Sequence, residues 1–383
     1  MSLTLNLDQK EFLEQAWQQQ PRLIRGAFPQ FTDLIEPEIL AGLALEQEVD
    51  SRVIIQRADG WDVHHGPFES YEEFGESGWT LLVQSVNEWL PEVQQLLAPF
   101  RFLPDWRLDD VMISFATEDG GVGPHLDQYD VFIIQGLGRR HWQVGARLPQ
   151  AEEHCPHPDL KQLVEPFEAI IDAVLEPGDM LYIPAGCPHN GVALEPSLNY
   201  SVGFRAPNMA ELGAAVADML SHTESTPLPR FRDARQNDYG PAYQVSTSQL
   251  TQLRSFLLET WQAHELDHAL LLVLSQSKRP LPTLLDPIHP EELQHYLEHE
   301  PELLLARVPG ARILLNPAQT RLYANAEDWP LNEELLAVAQ WFGEMWEPTP
   351  LHAQASLLQS NAAQQLCCDL INCGVLEVYQ QHD

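Results

Sequence analysis

The sequence predicts an α+β protein. A double-sheet β-barrel of the jelly-roll kind comes first, then a helical segment and a smaller C-terminal domain. Three observations carry this reading. From about Trp106 to Arg205, short β-rich runs alternate with Gly/Pro turns, as in a barrel of short strands. Inside that stretch, His125-Leu126-Asp127 is answered far downstream by a single His189, which asks for two chain segments folded face to face. Beyond residue 208 the apolar spacing changes to the helical period. The expected boundaries are 1–208 for the barrel domain, 209–278 for the helical segment and 279–383 for the C-terminal domain.

The N-terminal hundred residues mix helix, loop and some strand. Phe12, Leu13, Ala16 and Trp17 have helical spacing, which Pro21 ends. Val53-Ile54-Ile55 reads as a short strand. Trp79 to Val83 reads as another and leads into an apolar period running from Val86 to Leu97. In the barrel, the predicted strands are Val111–Phe115, Val131–Gln135, Arg140–Val144, Met180–Pro184 and Leu198–Phe204. The turns are Gly136-Leu137-Gly138 and Glu176-Pro177-Gly178-Asp179. Residues 209–225 read as a helix. A Pro-rich basic arm follows, with Pro227, Pro229, Arg230, Arg232 and Arg235. Residues 248–275 read as one strongly apolar helix that is either core or a dimer contact. The last region places helical patterns at 291–299, 332–345 and 354–371 around a hairpin of Ala311–Leu315 and Thr320–Ala324. Gly374–Val378 is the last predicted strand. Three helices and a small hairpin resemble a winged helix.

Charge narrows the partners. Lys+Arg 21 against Asp+Glu 56 gives a formal net charge of −35 over 383 residues. Such a chain is repelled by nucleic acid phosphates and anionic membranes, and attracts basic proteins. Residues 271–383 carry 5 Lys/Arg and 15 Asp/Glu, a balance of 5 − 15 = −10, so the C-terminal domain is expected to contact protein and not DNA. Met1–Thr4 runs directly into Asp8–Glu11 without a basic-then-apolar leader, and no apolar run has spanning length. Cys155, Cys187, Cys367, Cys368 and Cys373 form a sparse, odd set. Reduced thiols and a cytoplasmic location are the expectation.

Two imidazoles and one carboxylate are the ligands of the facial triad that holds Fe(II) and leaves coordination positions open for a cosubstrate and O₂. His125 and Asp127, two apart, share a face if they lie on one strand. An oxygenase of this type needs electrons beyond those of Fe(II), and decarboxylation of 2-oxoglutarate supplies them. Its distal carboxylate needs a buried cation, and Arg140 on a following strand is the candidate, as a bidentate fork. Ser114 is a candidate hydrogen-bond partner for the same ligand, with Asn199 and Ser201 as further candidates. Glu118 and Asp119, just before the glycine run that leads to His125, are candidates for holding a basic substrate side chain. A competing motif, His264-Glu265-Leu266-Asp267-His268, has the spacing of a zinc-protease helix. It lacks a third histidine at the extended spacing, where Leu274 stands.

The set His125-x-Asp127, Gly138-x-Arg140-x-Trp142 and Pro177-Gly178-Asp179 through His189 resembles the JmjC-type 2-oxoglutarate oxygenases of the cupin class. His65–Phe68, Trp79–Gln84, Asp127–Phe132 and Asn199–Arg205 are similar to the ribosomal oxygenase branch, and most narrowly to its bacterial protein-arginine hydroxylases. The resemblance spans the whole chain. It implies Fe(II), 2-oxoglutarate and O₂, with His125, Asp127 and His189 as metal ligands and Arg140 as the cosubstrate residue. It also implies 3-hydroxylation of an arginine in a large-subunit ribosomal protein, and a homodimer. The alternatives from the residues are histidyl hydroxylation or lysine demethylation at the same site, or a non-catalytic acidic module that captures basic proteins.

Overall fold

The apolar alternation of the first 205 residues folds into strands. The structure is a computed structural model, and it describes residues 3–58, 60–148, 151–222, 230–232, 245–261 and 264–380. In chain order the strands of this part are β1 (Arg22–Ile24), β2 (Ser51–Arg57), β3 (Gly60–His65), β4 (Trp79–Val83), β5 (Leu108–Ala116), β6 (Asp130–Gln135) and β7 (Arg140–Gly145). They continue with β8 (Glu153–His157), β9 (Leu160–Leu163), β10 (Ala169–Leu175), β11 (Met180–Ile183), β12 (His189–Ala193) and β13 (Ser197–Phe204). Its helices are short: α1 (Gln9–Gln15), α2 (Pro37–Leu43) and α3 (Pro91–Gln94). Asp8 caps α1 by accepting from the Glu11 amide at 3.0 Å, and Phe12 seats the helix on the core. The apolar period from Val86 to Leu97 folds as a run of short helical turns. Pro91 opens α3 at its first position, and Pro99 lies inside the last turn, where it removes a backbone donor.

A large sheet has the order β1-β11-β6-β13-β5-β4-β2-β3, and a small one the order β10-β7-β12. The period of two along β6 explains the layers. Val131 and Ile133 pack with Trp142, Val144 and Leu175 of the small sheet. Phe132 and Ile134 pack on the opposite side with Phe12, Phe100, Tyr182 and Phe204. All eight residues of β13 are buried because it pairs with β5 and β6 at the centre of the large sheet. The sequence reading missed β10, whose outward positions Ile170 and Asp172 are exposed, and the β8–β9 hairpin.

The H-x-D segment is not a regular strand. Residues 120–127 run beside β12 and touch it through two bridges, Gly121↔Val192 and His125↔His189. Between the bridges three residues, 122–124, oppose two, 190–191, which is a bulge. Gly123 takes it up with φ +78°, a left-handed conformation that suits glycine.

Two buried carboxylates lock the frame. Asp179, at the end of the Pro-Gly-Asp turn, accepts from the Gly26 amide (2.9 Å), the Glu176 amide (3.0 Å) and Arg25 (2.6 Å), tying β11 to the chain around β1. Asp130, fully buried at the start of β6, accepts from Arg107 (2.7 Å), the Tyr182 hydroxyl (3.0 Å) and Gln18 (3.1 Å).

The chain divides into two units. The first is Met1–Ala206 with Ala306–Gly310 and Met345–Thr349, and the second is the remainder. The second contains α4 (Met209–His222), α5 (Thr247–Trp261), α6 (His264–Ser275), α7 (Pro290–His299), α8 (Glu333–Glu344) and α9 (Asn361–Asn372). The single helix expected over 248–275 is thus two, α5 and α6. Pro227, Pro229 and Arg235 of the basic arm lie outside the described residues. The expected hairpin is present with Ile313 paired to Ala324, and Glu327–Pro330 adds a third strand. Among the described residues, no helix is long and apolar enough to cross a membrane.

Asp130→Ala would leave the buried Arg107 guanidinium without its carboxylate. Losing one partner of a buried pair costs about 3–5 kcal/mol, so the urea midpoint followed by circular dichroism is expected to fall steeply. An unchanged midpoint would show that the pair does not hold the frame.

Candidate metal centre

His125 and His189 stand opposite each other because their backbones do. The His125 amide donates to the His189 carbonyl at 3.0 Å, and the His189 amide returns the bond at 2.9 Å. Their rings lie 4.2 Å apart, centroid to centroid. Asp127 comes round between them, with a carboxylate oxygen 3.6 Å from Nε2 of His189 and 4.0 Å from Nε2 of His125. One ligand atom from each of the three lies within 4.8 Å of the others, the only such group of three among the described residues.

Hydrogen bonding fixes which nitrogen is available. Nδ1 of His125 lies 2.9 Å from the Gly123 carbonyl, and Nδ1 of His189 lies 3.1 Å from the Cys187 carbonyl. A carbonyl only accepts, so each Nδ1 carries the proton. In the neutral ring, Nε2 then keeps its lone pair for a metal. Burial, and secondarily the neighbouring His125, lowers the pKa of His189 to about 4, so this ring is neutral near pH 7. The donor set, the tautomers and the spacing fit a 2-His-1-carboxylate metal.

The centre opens into a cavity of about 410 Å³ lined by both sheets. Arg140 and Ser114 line it as well. Arg140 is buried, and burial lowers its pKa to about 9. Its Nε donates to the Ser197 hydroxyl (2.9 Å) and one Nη to the Ser114 hydroxyl (2.9 Å). The other Nη donates to the carbonyls of Ser114 (2.9 Å) and Ser197 (3.1 Å). Among the described residues no carboxylate pairs with it. A guanidinium has five N–H donors, and these bonds engage four. The bidentate fork expected from the sequence is therefore taken up by the barrel's own oxygens. What faces the cavity is a buried positive charge with one donor unassigned.

The remaining candidates divide. Ser114 lines the cavity and also holds Arg140, and Ser201 lines it on β13. Asn199 is directed to Gln135 Oε1 at 3.1 Å and is not part of the lining. Glu118 and Asp119 depart from expectation. Both are exposed in the turn after β5, where the Asp119 amide meets the Ala193 carbonyl, the far end of β12 from His189. Neither lines the cavity. The left-handed Asp119 (φ +62°) turns the chain there and carries the acids away from the metal ligands.

Sequence reasoning missed Tyr129. It lines the cavity beside the Asp127 carboxylate. Desolvation at the cavity wall and the nearby Asp127 charge push its pKa well above the ordinary phenol value, although the residue as a whole is 39% exposed, so it remains a donor. Its place two residues after Asp127 was the available signal. Ser197 and Gln162 were also missed. Gly191 has a steric role: a Cβ there would lie 2.7 Å from the Trp142 ring, which flanks His189 at 6.2 Å between centroids. The zinc-protease motif has another use. The His268 ring faces the Tyr323 hydroxyl at 3.0 Å and the Asp328 carboxylate at 3.6 Å, a contact within the second unit. The side chains of His264 and Glu265 lie outside the described residues.

Comparison with known proteins agrees with this geometry. Residues 95–212 match the JmjC domain. The chain is 45% identical over 381 residues to the ribosomal protein uL16 3-hydroxylase of Escherichia coli (strain K12), covering 94% of this chain and 98% of that one. The X-ray structure of E. coli YcfD superposes with a TM-score of 0.88 at 41% identity, over 99% of this chain and all of that one. YcfD, a ribosomal oxygenase from E. coli, in complex with cobalt and 2-oxoglutarate matches with a TM-score of 0.85 at 40% identity, over 98% and 99% of the two chains.

Proposed function

The chain belongs to the JmjC-domain ribosomal oxygenases, and from that premise we propose that it is an Fe(II)- and 2-oxoglutarate-dependent hydroxylase that adds oxygen to carbon 3 of an arginine in ribosomal protein uL16. The observation that carries the reading is one cavity holding both the His125–Asp127–His189 cluster and the buried Arg140, which lacks a carboxylate partner. Fe(II) held by the three ligands, with 2-oxoglutarate and O₂ as cosubstrates, supplies the oxidising power for an unactivated C–H bond. The chain itself binds and positions. His125 and His189 present Nε2, and Tyr129 steadies the Asp127 carboxylate. The Arg140 charge balances the distal carboxylate of 2-oxoglutarate through its one unassigned donor and short-range attraction. Val131, Ile133 and Trp142 wall the cavity and exclude water from the reacting atoms.

The substrate class follows from charge and kinship together. A chain of net charge −35 draws a basic ribosomal protein from solution. The cavity's polar lining includes Tyr129, Ser201 and Asp159 together with Arg52, Thr80, Gln84 and Lys161, and among these Tyr129 and Asp159 take the place of Glu118 and Asp119 as acceptors for an entering guanidinium. Binding of nucleic acid and of membrane is not part of the reading, and the cytoplasm, where ribosomal proteins are made, is the location it requires. The acidic C-terminal domain, residues 279–383, serves as a winged-helix-like protein-contact module. The segment 209–278 serves as the homodimer contact. On α5, Leu250, Leu253, Leu257 and Leu258 are all exposed and recur at helical spacing.

Incubating uL16 with the protein, Fe(II) and 2-oxoglutarate is expected to add one oxygen to a single arginine, read by mass spectrometry, with His125→Ala inactive. Oxygen on a histidine, or loss of methyl groups from lysine, would move the target and keep the site. Absence of both modification and succinate would leave the acidic binding module.

Arg140→Met is expected to weaken 2-oxoglutarate by at least about thirty-fold, the low end of the 2–5 kcal/mol lost when a buried charge pair is truncated. Co(II) affinity should stay at the wild-type value, with both measured by calorimetry. Equal losses for both ligands would contradict the assigned role.

Leu253→Glu with Leu257→Glu is expected to convert a dimer to a monomer in light scattering. A variant that elutes unchanged would place the dimer contact elsewhere.

A further inference from the structure

The β8–β9 hairpin touches the metal-ligand segment in a way the reaction does not require. Gln162, on β9, is buried. Its Nε2 donates to the Val122 carbonyl at 2.9 Å. The next backbone amide, Leu163, donates to the Pro124 carbonyl at 2.9 Å. Two consecutive hairpin residues therefore hold the carbonyls on either side of Gly123. The carbonyl between them, that of Gly123, accepts from Nδ1 of His125 at 2.9 Å. Its direction fixes the tautomer and tilt of that ring.

Gly123 leaves the room. With φ +78°, a Cβ at this position would fall 2.1 Å from Nε2 of Gln162 and 2.7 Å from its Cδ. The absent side chain and the buried amide occupy one space. This is more than packing. A leucine would fill a similar volume, but only a donor meets the Val122 carbonyl, which would otherwise lose its partner beside a buried bulge.

We propose that Gln162 is a positioning residue for the metal centre: with the Leu163 amide it clamps the Gly123 bulge and so aims Nε2 of His125. The hairpin is thereby a working part of the centre, in addition to supplying cavity wall through Pro158, Asp159, Leu160 and Lys161. The proposal rests on His125 being a metal ligand, and the test separates the two claims.

Co(II) is the probe, followed by its visible absorption and by calorimetry on the full chain. Gln162→Glu keeps the shape and removes the donor, and Gln162→Leu removes both polar ends. Both are expected to weaken Co(II) about 10–100-fold, the usual loss when a partner of a metal-bound histidine is removed, and to shift the Co(II) spectrum. The circular dichroism of the metal-free variants should remain native. Gly123→Ala is expected to give the same loss, and the double variant Gly123→Ala with Gln162→Leu no more than either alone, because both break one clamp. Wild-type Co(II) affinity and spectrum in both Gln162 variants would overturn the proposal. So would loss of affinity that only accompanies loss of the native circular dichroism. Failure of the wild-type protein to bind Co(II), or retention of binding in His125→Ala, would instead sink the metal-site reading itself.

Discussion

The exchange of two backbone hydrogen bonds between His125 and His189 is the constraint from which the rest of the site follows. Sixty-four positions separate the two residues along the chain, and no local rule brings them together. The pairing does it by making an irregular segment into an additional edge of the small sheet. Once the backbones are registered, the side chains have little choice. Each ring is turned by a carbonyl two residues earlier in its own segment, Gly123 for one and Cys187 for the other. The same short-range geometry is used twice, once in the bulged segment and once at the start of β12. A slip of one residue would turn either ring to the opposite face. The bulge at Gly123 and the left-handed Gly186 just before β12 hold the register against such a slip. Asp130 fixes the other end of the segment, three residues beyond Asp127, where the chain joins the large sheet.

Arg140 presents the second constraint. A buried guanidinium without a carboxylate partner is unfavourable for the isolated fold. The barrel offsets part of this with two hydroxyls and two carbonyls, all from Ser114 and Ser197. These oxygens are neutral, so they satisfy the donors and leave the charge uncompensated. A carboxyl group introduced at either serine would neutralise the charge and remove the attraction for an anion. The cavity is in this sense organised before its ligand arrives, which reduces the reorganisation that binding requires.

The barrel was largely legible because its central strands are short, apolar and bounded by turn residues. Val131–Gln135, Arg140–Val144 and Leu198–Phe204 all fall inside observed strands. The elements that escaped lie at edges. β10 is apolar but is interrupted by Asp172 and leaves Ile170 and Asp172 exposed, while β8 contains Pro156 and is largely exposed. The same division runs through the site. His125, Asp127, His189 and Arg140 could be named because their chemistry is rare at such spacing. Ser197, Gln162 and Tyr129 could not, since a serine, a glutamine and a tyrosine acquire their roles only from what the fold places beside them. Glu118 and Asp119 misled for the complementary reason. Proximity in sequence to His125 suggested proximity in space, but an extended chain moves about 3.3 Å per residue away from the ligands.

Electrostatics at two ranges then reconcile an acidic protein with an anionic cosubstrate. The net charge of −35 acts at a distance. It favours approach of a basic protein and opposes approach of a dicarboxylate, and salt screens both effects beyond about 8–10 Å. Inside the cavity the balance reverses. Arg140 is buried where screening is weak, so in the role proposed for it the attraction for a carboxylate is local and little screened. On the proposed function, the long-range field favours the macromolecule and the buried cation favours the small anion. On that reading, separating the two by depth would let one chain bind partners of opposite charge in the same cavity.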